Sequence, residues 1–289
     1  MNKAILSVLA LAVLFGFGIS DQTAAIPEAD KAAILETARD YGDGFYAGEP
    51  ERMERAIHPD LNKIVTQVLP QTGGVLIGYS TFSGLIELTR AKVGLTTPLR
   101  KIQPEALLMN EDIACAKLTS PGFNDYLQMV KIEGGWKIVN VLWVPGPETP
   151  GLQPLTGFDP EKEKDAAKKA AFDFVEGSLS GDVIRVEAAL HPEVSRAVFQ
   201  KQPQTGKARI SRQRYSGLVE PIRAKMGIVP EDQRKVDVQI IDMMDGMAFV
   251  HASTAFGDSY IQMSWLNKQW KILNILVKPK PGAPRAPQR

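Results

Sequence analysis

Hydrophobic side chains near the start of the chain follow the spacing of helices. Residues 29–47 place apolar positions three and four apart, which predicts an α-helix ending at Gly48. Pro50 suits the first turn of a second, short helix over residues 50–57. Because proline disfavours the helical conformation of the residue before it, His58-Pro59 is expected to end that helix and turn the chain into a strand.

The pattern then changes to shorter runs typical of strands. β-Branched residues predict a strand over 61–69, and the sequence Gln71-Thr72-Gly73-Gly74 predicts a turn. Helical spacing returns over residues 79–93. The remainder of this half predicts a meander of strands at about 100–109, 112–119, 124–133 and 136–144, with the last two joined by a glycine turn. The predicted order is two helices, a strand pair, a helix and a meander.

The same order recurs in the second half of the chain. His58-Pro59 returns 133 residues later as His191-Pro192. After one inserted residue the offset becomes 134, and the motif Trp136-Lys137-Ile138 returns as Trp270-Lys271-Ile272. A period of this length corresponds to a whole domain and not to a short solenoid unit. The sequence therefore predicts a tandem duplication.

Three stretches fall outside the two copies. Residues 1–25 combine one lysine with a short apolar run, which predicts a secretory signal peptide, with an uncleaved anchor as the alternative. Proline and glycine dominate residues 145–160, which predicts a linker, and residues 279–289 have the composition of a disordered tail. The predicted domains are therefore 26–144 and 161–278. We expect an exported protein, either periplasmic or extracellular.

Charge and cysteine content narrow the function classes. The formal net charge is +1, which argues against nucleic acid or an anionic membrane as the main partner. Cys115 is the only cysteine, so neither an internal disulfide nor a cysteine-based metal site is expected. Three histidines spread over two copies do not favour a histidine metal site, and the glycine patterns of nucleotide loops are absent. We therefore expect no metal and no cofactor.

The order of elements, with the closing segment Gly135–Trp143, resembles the nuclear transport factor 2-like superfamily. Within it, the segments Tyr46–Asp60 and Gly135–Trp143 are most similar to the putative lumazine-binding group. The resemblance covers both copies and implies an α+β fold of two tandem cone-shaped domains. Each would be a curved, mostly antiparallel sheet wrapped around about three helices. Such domains often pair, which implies an internal pseudo-dimer packed sheet to sheet.

Amide side chains are the first candidates for a ligand pocket. Strand alternation places Trp136, Ile138, Asn140 and Leu142 on one face, and in the resembled fold that face looks into the cone. An amide there could hydrogen-bond a ligand in an apolar pocket, or be satisfied by neighbouring elements. The amide candidates in the two copies are Asn140 and Asn274, with Gln128 and Gln262 one strand earlier.

Aromatic and imidazole side chains are the remaining pocket candidates. Tyr41 and Phe45 lie four residues apart on the first helix, so they could line the pocket or pack in the core. His58 and His191 could act as bases near neutral pH, or simply lie at a helix end where the dipole favours positive charge.

Catalysis of the isomerase type would require a carboxylate buried inside the cone. Asp43 and its counterpart Glu176 are the only acidic candidates we assign, and helical spacing points Asp43 to solvent. No catalytic residue is therefore assigned. The leading hypothesis is a non-catalytic protein that binds a small apolar or aromatic molecule or a protein partner. The alternatives are a cyclase- or isomerase-like enzyme and a structural module with filled cones, since fold alone does not determine function.

Overall fold

The computed structural model describes residues 25–69, 71–96, 101–146, 149, 157–202 and 204–281. Almost all of the predicted signal peptide, most of the predicted linker and most of the predicted tail lie outside the described residues. None of the helices among the described residues is both long and apolar enough to cross a membrane.

The first domain contains three helices and six strands, with a short 3₁₀ turn at Val93–Thr96 after the third helix. Its elements are α1 Glu28–Ala47, α2 Pro50–Ala56, β1 Ile57–Val68, β2 Val75–Ser80, α3 Phe82–Arg90, β3 Gln103–Asn110, β4 Ile113–Thr119, β5 Phe123–Ile132 and β6 Gly135–Pro145.

The second domain repeats this order, with a 3₁₀ turn at Glu231–Gln233. Its elements are α4 Pro160–Ser180, α5 Val183–Ala189, β7 Leu190–Lys201, β8 Ala208–Arg214, α6 Tyr215–Arg223, β9 Val236–Met244, β10 Met247–Thr254, β11 Gly257–Leu266 and β12 Gln269–Pro279. The predicted α+β fold with two tandem domains is confirmed.

Each domain has one six-stranded sheet of identical topology. The strand orders are β2-β1-β6-β5-β4-β3 and β8-β7-β12-β11-β10-β9. The pairs β1–β6 and β7–β12 are parallel, and all other pairs are antiparallel. The parallel pair brings the first strand of each domain against its last, so residues distant in sequence become neighbours inside the sheet.

Two predicted boundaries are wrong. The strand predicted to begin at residue 61 begins at Ile57, so His58 lies within β1, and α2 ends at Ala56, one residue before its predicted end. The helix predicted over residues 79–93 covers only Phe82–Arg90, because residues 75–80 pair with β1 as a strand. Thr81 caps this helix by accepting a hydrogen bond from the backbone N–H of Gly84, which fixes the later start.

One face of each sheet packs against the helices of its own domain. In the first domain this core joins Ile34 and Ala38 of α1 to Ile86 of α3 and to Ile138 and Val141 of β6. The second domain has a matching core between its sheet and α4–α6. We call the space between each sheet and its own helices the first cone and the second cone.

The other face of each sheet packs against the sheet of the other domain. Tyr126 and Phe249 stack across this interface with ring centroids 5.6 Å apart. Cys115 is fully buried here, and burial raises the pKa of its thiol. The apolar interface core is formed by Ile64, Leu108, Ile113, Cys115, Tyr126, Val130, Val139, Leu142, Val144, Ala197, Phe199, Met247, Phe249, Tyr260, Leu273 and Leu276.

Candidate functional site

The first cone contains a buried lysine. Strand alternation in β1 directs Leu61 into the core beside the helices and Ile64 into the interface between the sheets, so Lys63 points into the cone. The Lys63 side chain is only 10% exposed. Its ammonium nitrogen lies 4.8 Å from the ring centroid of Trp143 and 5.0 Å from that of Tyr41. These aromatic faces stabilise the cation where water is largely excluded.

A buried carboxylate faces this lysine. Asp125 lies on β5 between Phe123 and Leu127, which both belong to the core of the first cone. Its Oδ1 is 3.8 Å from the Nζ of Lys63, and its side chain is completely buried. Burial raises the pKa of Asp125 to about 6, although the lysine charge and the hydroxyl of Tyr41 oppose that rise. Burial also lowers the pKa of Lys63.

Tyr41 completes the polar cluster, which consists of Tyr41, Lys63 and Asp125. Its hydroxyl accepts a hydrogen bond from the ammonium of Lys63. Burial and the neighbouring Asp125 raise the pKa of the phenol well above its ordinary value, so this hydroxyl keeps its proton. The first cone thus offers a cation, an anion and a neutral hydroxyl close together among aromatic rings.

The predicted face of Asn140 is wrong, because strand β6 contains a β-bulge. The register with β5 shifts between the pairs Gln128–Asn140 and Met129–Ile138. One extra residue, Val139, therefore enters the strand and reverses the alternation that the sequence suggests. Ile138 packs in the first cone, whereas Asn140 faces the second domain. The same shift occurs in β12, so Asn274 also faces the interface.

The four amides form a buried network between the sheets. In the first domain the Asn140 Nδ2 donates to the Gln128 Oε1 at 2.7 Å, and the Gln128 Nε2 donates to the carbonyl oxygen of Tyr260 at 2.8 Å. Asn274 and Gln262 repeat this arrangement, with Gln262 donating to the carbonyl oxygen of Tyr126. Their hydrogen bonds are made within the protein and across the domain interface.

An arginine and a second asparagine extend this network. Arg212 of the second domain donates to the Oδ1 of Asn140 at 2.8 Å, and burial lowers the pKa of its guanidinium to about 10. Asn62 of the first domain donates to the Oδ1 of Asn274 at 2.7 Å. The two domains are therefore joined by polar contacts as well as apolar ones.

The remaining pocket candidates lie in different places. Tyr41 points into the first cone, whereas Phe45 is partly buried at its edge, 6.2 Å from the ring of Phe123. His58 and His191 lie at the starts of β1 and β7, where each Nδ1 accepts a hydrogen bond from the backbone N–H two residues later. The pKa of both imidazoles is lowered by partial burial.

The acidic candidates of the helices are engaged at the surface. Asp43 accepts a hydrogen bond from Arg52 at 3.1 Å, and Glu176 pairs with Arg185 and Arg234. The carboxylate that does occupy the first cone, Asp125, was not among the predicted residues. The alternation of Phe123, Asp125 and Leu127 places Asp125 on the same face as two apolar side chains, but a charged residue in a strand usually marks the solvent face, so this signal alone does not identify it.

The described parts of the chain hold no group of three or more His, Cys, Asp or Glu side chains arranged to bind a metal ion.

Comparison with known proteins identifies the family. The model of the family described as putative lumazine-binding matches residues 29–144 and residues 162–276. No curated protein matches the chain.

Several solved structures are also similar. An NTF2-like protein of unknown function from Silicibacter pomeroyi is 17% identical, with a TM-score of 0.32, over 40% of this chain and 95% of its own. An NTF2-like protein of unknown function from Shewanella baltica is 14% identical, with a TM-score of 0.31, over 42% and 96%. A ketosteroid isomerase-like protein from Erwinia carotovora atroseptica is 12% identical, with a TM-score of 0.28, over 40% and 95%.

The family match takes in nearly all of both domains and leaves out the two ends and the region between the domains. The chain therefore belongs to the putative lumazine-binding family, with two tandem copies of the family's domain in one polypeptide.

Proposed function

We propose that the first cone binds a small, planar heteroaromatic molecule. The observation that supports this most directly is the polar cluster of Tyr41, Lys63 and Asp125 beside the ring of Trp143. Ligand pockets are typically apolar with a few convergent polar groups that fix orientation. The first cone has this composition.

The energetic cost of the cluster favours a role in binding. Removing an ammonium and a carboxylate from water costs several kcal/mol for each ion, and their attraction seldom returns more than that. A pair of apolar side chains would fill the same space without this cost. The carboxylate oxygens of Asp125 moreover accept fewer hydrogen bonds than those of a buried carboxylate usually do. They can therefore accept a hydrogen bond from a ligand.

The chemistry of the cluster suggests the ligand class. A pteridinedione such as lumazine carries ring carbonyls beside ring N–H groups. Lys63 and Tyr41 could donate to a carbonyl, and the carboxylate of Asp125 could accept from a ring N–H. The ring of Trp143, which is only partly buried, provides a face against which a flat molecule can stack. We favour a small molecule over a protein partner because these groups are buried and point inward.

Proton transfer is a second candidate function. A carboxyl with a pKa of about 6 can accept a proton near neutral pH, and Tyr41 is a neutral hydroxyl beside it that could stabilise a developing oxyanion. A third candidate is a structural role, since Met129 and Trp136 are buried in the first cone and fill part of it. We also propose that the protein is exported and that its packed sheets make it an internal pseudo-dimer.

Calorimetric titration of the full chain with lumazine tests the proposal. We expect saturable binding with one site per chain. Lys63→Met and Asp125→Asn should each weaken binding at least about tenfold, because each removes one polar contact to the ligand. Lys131→Met is the matched control: Lys131 also lies near an aromatic ring and pairs with an aspartate, but at the outer edge of the domain.

Four results would decide between the candidates. Unchanged lumazine recovered after incubation supports binding without catalysis, whereas a chemically altered product supports the enzyme. Equal losses in Lys63→Met and Lys131→Met would contradict the assignment of the first cone. No binding of lumazine or related pteridines by a folded protein would favour the structural role.

A further inference from the structure

The second cone carries a different charged residue at the place of Lys63. Arg196 pairs with Ile275 across the parallel strands, as Lys63 pairs with Val141 in the first domain. Val194 belongs to the core beside the helices, and Ala197 belongs to the interface between the sheets. Alternation therefore directs Arg196 into the second cone.

The counter-charge of the first cone is absent from the second. Ser259 stands at the position of Asp125, and Phe174 stands at that of Tyr41. Across the described residues Arg196 makes no ion pair, and its Nε is buried without a hydrogen-bond partner. Burial lowers the pKa of its guanidinium to about 10, with no carboxylate nearby to offset the effect.

A second buried polar group lies beside this arginine. Gln213 on β8 is the direct strand partner of Arg196, so the two side chains share a face of the sheet. The Oε1 of Gln213 is also buried and has no hydrogen-bond partner among the described residues. Buried polar groups are nearly always satisfied in native proteins, so the unpaired Nε donor of Arg196 points to a missing acceptor.

The second cone is also more accessible than the first at this point. Lys63 and Asp125 are buried, whereas Arg196 and Ser259 are partly exposed. Val277 replaces the indole ring of Trp143, which covers the lysine in the first cone. The aromatic cover that Lys63 has in the first cone is therefore missing beside Arg196.

We propose that the second cone binds a small organic monocarboxylate, with the guanidinium of Arg196 as the anion-binding group. A guanidinium and a carboxylate are both planar and can form two parallel hydrogen bonds. The Nε2 of Gln213, the donor end of its amide, can supply a further hydrogen bond to the carboxylate. The apolar side chains of Val194, Ile275 and Val277 suit the hydrocarbon part of such a molecule.

A carboxylate fits this site better than a phosphate. One guanidinium balances one negative charge, and among the described residues burial alone shifts the pKa of Arg196, with no contribution from a neighbouring charge. A phosphate carries more charge at neutral pH and would remain partly uncompensated in an apolar cone. This proposal does not depend on what the first cone binds.

Thermal unfolding and calorimetry of the full chain, with octanoate, benzoate and inorganic phosphate as separate probes, test the proposal. We expect at least one carboxylate to raise Tm and to bind with one site, and phosphate to have no effect. Arg196→Gln should weaken carboxylate binding at least about tenfold. Arg209→Gln, a change of the same type at an exposed position of β8, should leave it unchanged.

A second variant covers the case in which Arg196→Gln does not fold. Ser259→Asp places in the second cone the carboxylate that the first cone already has, so Arg196 gains an internal partner. We expect this variant to be at least as stable as the wild type and to lose carboxylate binding. Carboxylate binding that persists in folded Arg196→Gln or Ser259→Asp would overturn the proposal. Binding of phosphate alone, or of none of the three probes, would overturn it as well.

Discussion

At the scale of single residues, the main feature is a pair of opposite charges, on Lys63 and Asp125, buried inside an apolar domain. Asp125 is completely buried, and its nearest opposite charge, on Lys63, is 3.8 Å away. The loss of hydration favours the neutral carboxyl, and the lysine favours the carboxylate. Burial has the larger effect, which is why the pKa of Asp125 is raised to about 6 and not lowered.

This raised pKa predicts a specific pH dependence of stability. A carboxyl whose pKa is higher in the folded protein than in the unfolded chain binds its proton more tightly when folded. Its contribution to the free energy of unfolding is therefore fully present below about pH 4 and is lost as the pH rises through about 6. Asp125→Asn removes this titration. Relative to that of the Asp125→Asn variant, the free energy of unfolding of the wild type should fall by on the order of 3 kcal/mol between about pH 4 and pH 7.

Urea unfolding of both proteins at several pH values measures this difference. Asp232→Asn, at an exposed position, controls for the loss of one negative charge. A difference between wild type and Asp125→Asn that does not change with pH would show that Asp125 has an ordinary pKa.

Only part of the polar cluster in the first cone could be predicted from the sequence. Tyr41 was a candidate either to line the pocket or to pack in the core, because helical periodicity indicates the buried face of α1 directly. Lys63 and Asp125 were not predicted, since a charged residue in a strand usually marks the solvent face. Their burial depends on β1 and β5 being enclosed by helices on one face and by the second sheet on the other. That enclosure is a property of the tertiary structure.

At the scale of elements, one inserted residue in β6 determines which side chains meet. Up to Ile138 the strand alternates as its sequence suggests. The bulge at Val139 then directs Asn140 toward the other domain and returns Val141 to the first cone. The helices and strands themselves were largely predictable, because periodicity and turn residues are local signals. The bulge was not, because it arises from pairing with a partner strand.

The contact between α1 and the 3₁₀ turn gives a prediction at this scale. A Cβ atom added at Gly94 would lie 2.3 Å from the carbonyl oxygen of Phe45, far inside van der Waals contact. Gly94→Ala should therefore force α1 and the turn apart and lower the free energy of unfolding by roughly 1–3 kcal/mol.

Gly135→Ala is the matched control for this test. At Gly135 the nearest atom to an added Cβ is the carbonyl oxygen of Ile132, at 3.9 Å. Its stability should stay within about 0.5 kcal/mol of the wild type. Urea unfolding of both variants provides the comparison, and equal stabilities would show that the turn can move away from α1 at little cost.

At the scale of the whole molecule, the interface between the sheets combines an apolar core with buried hydrogen bonds. Burial of apolar surface drives the association of the two sheets. The amide network restricts how they align, because a shifted alignment would leave buried amides without partners. Arg212 strengthens this restriction by donating to Asn140 and to the hydroxyl of Ser195.

A fragment of residues 26–145 should show what this interface does. Alone, it would expose the apolar side chains of Ile64, Tyr126 and Leu142 to water. We expect the fragment to self-associate or precipitate, because soluble monomers rarely expose contiguous apolar patches of this kind. The full chain, with its interface already formed, should be monomeric. Light scattering after size-exclusion chromatography measures both masses. A soluble, monomeric fragment would contradict the interpretation of the sheets as an internal pseudo-dimer.

The covalent link between the two domains has a consequence for how their cones can differ. In a dimer of identical subunits every substitution appears twice, so both cones must change together. Here one gene encodes both halves, and a substitution changes only one of them. Lys63 with Asp125 in one half, and Arg196 with Ser259 in the other, are a divergence that identical subunits could not sustain. Fusion preserves the paired architecture and frees each half to change independently of the other.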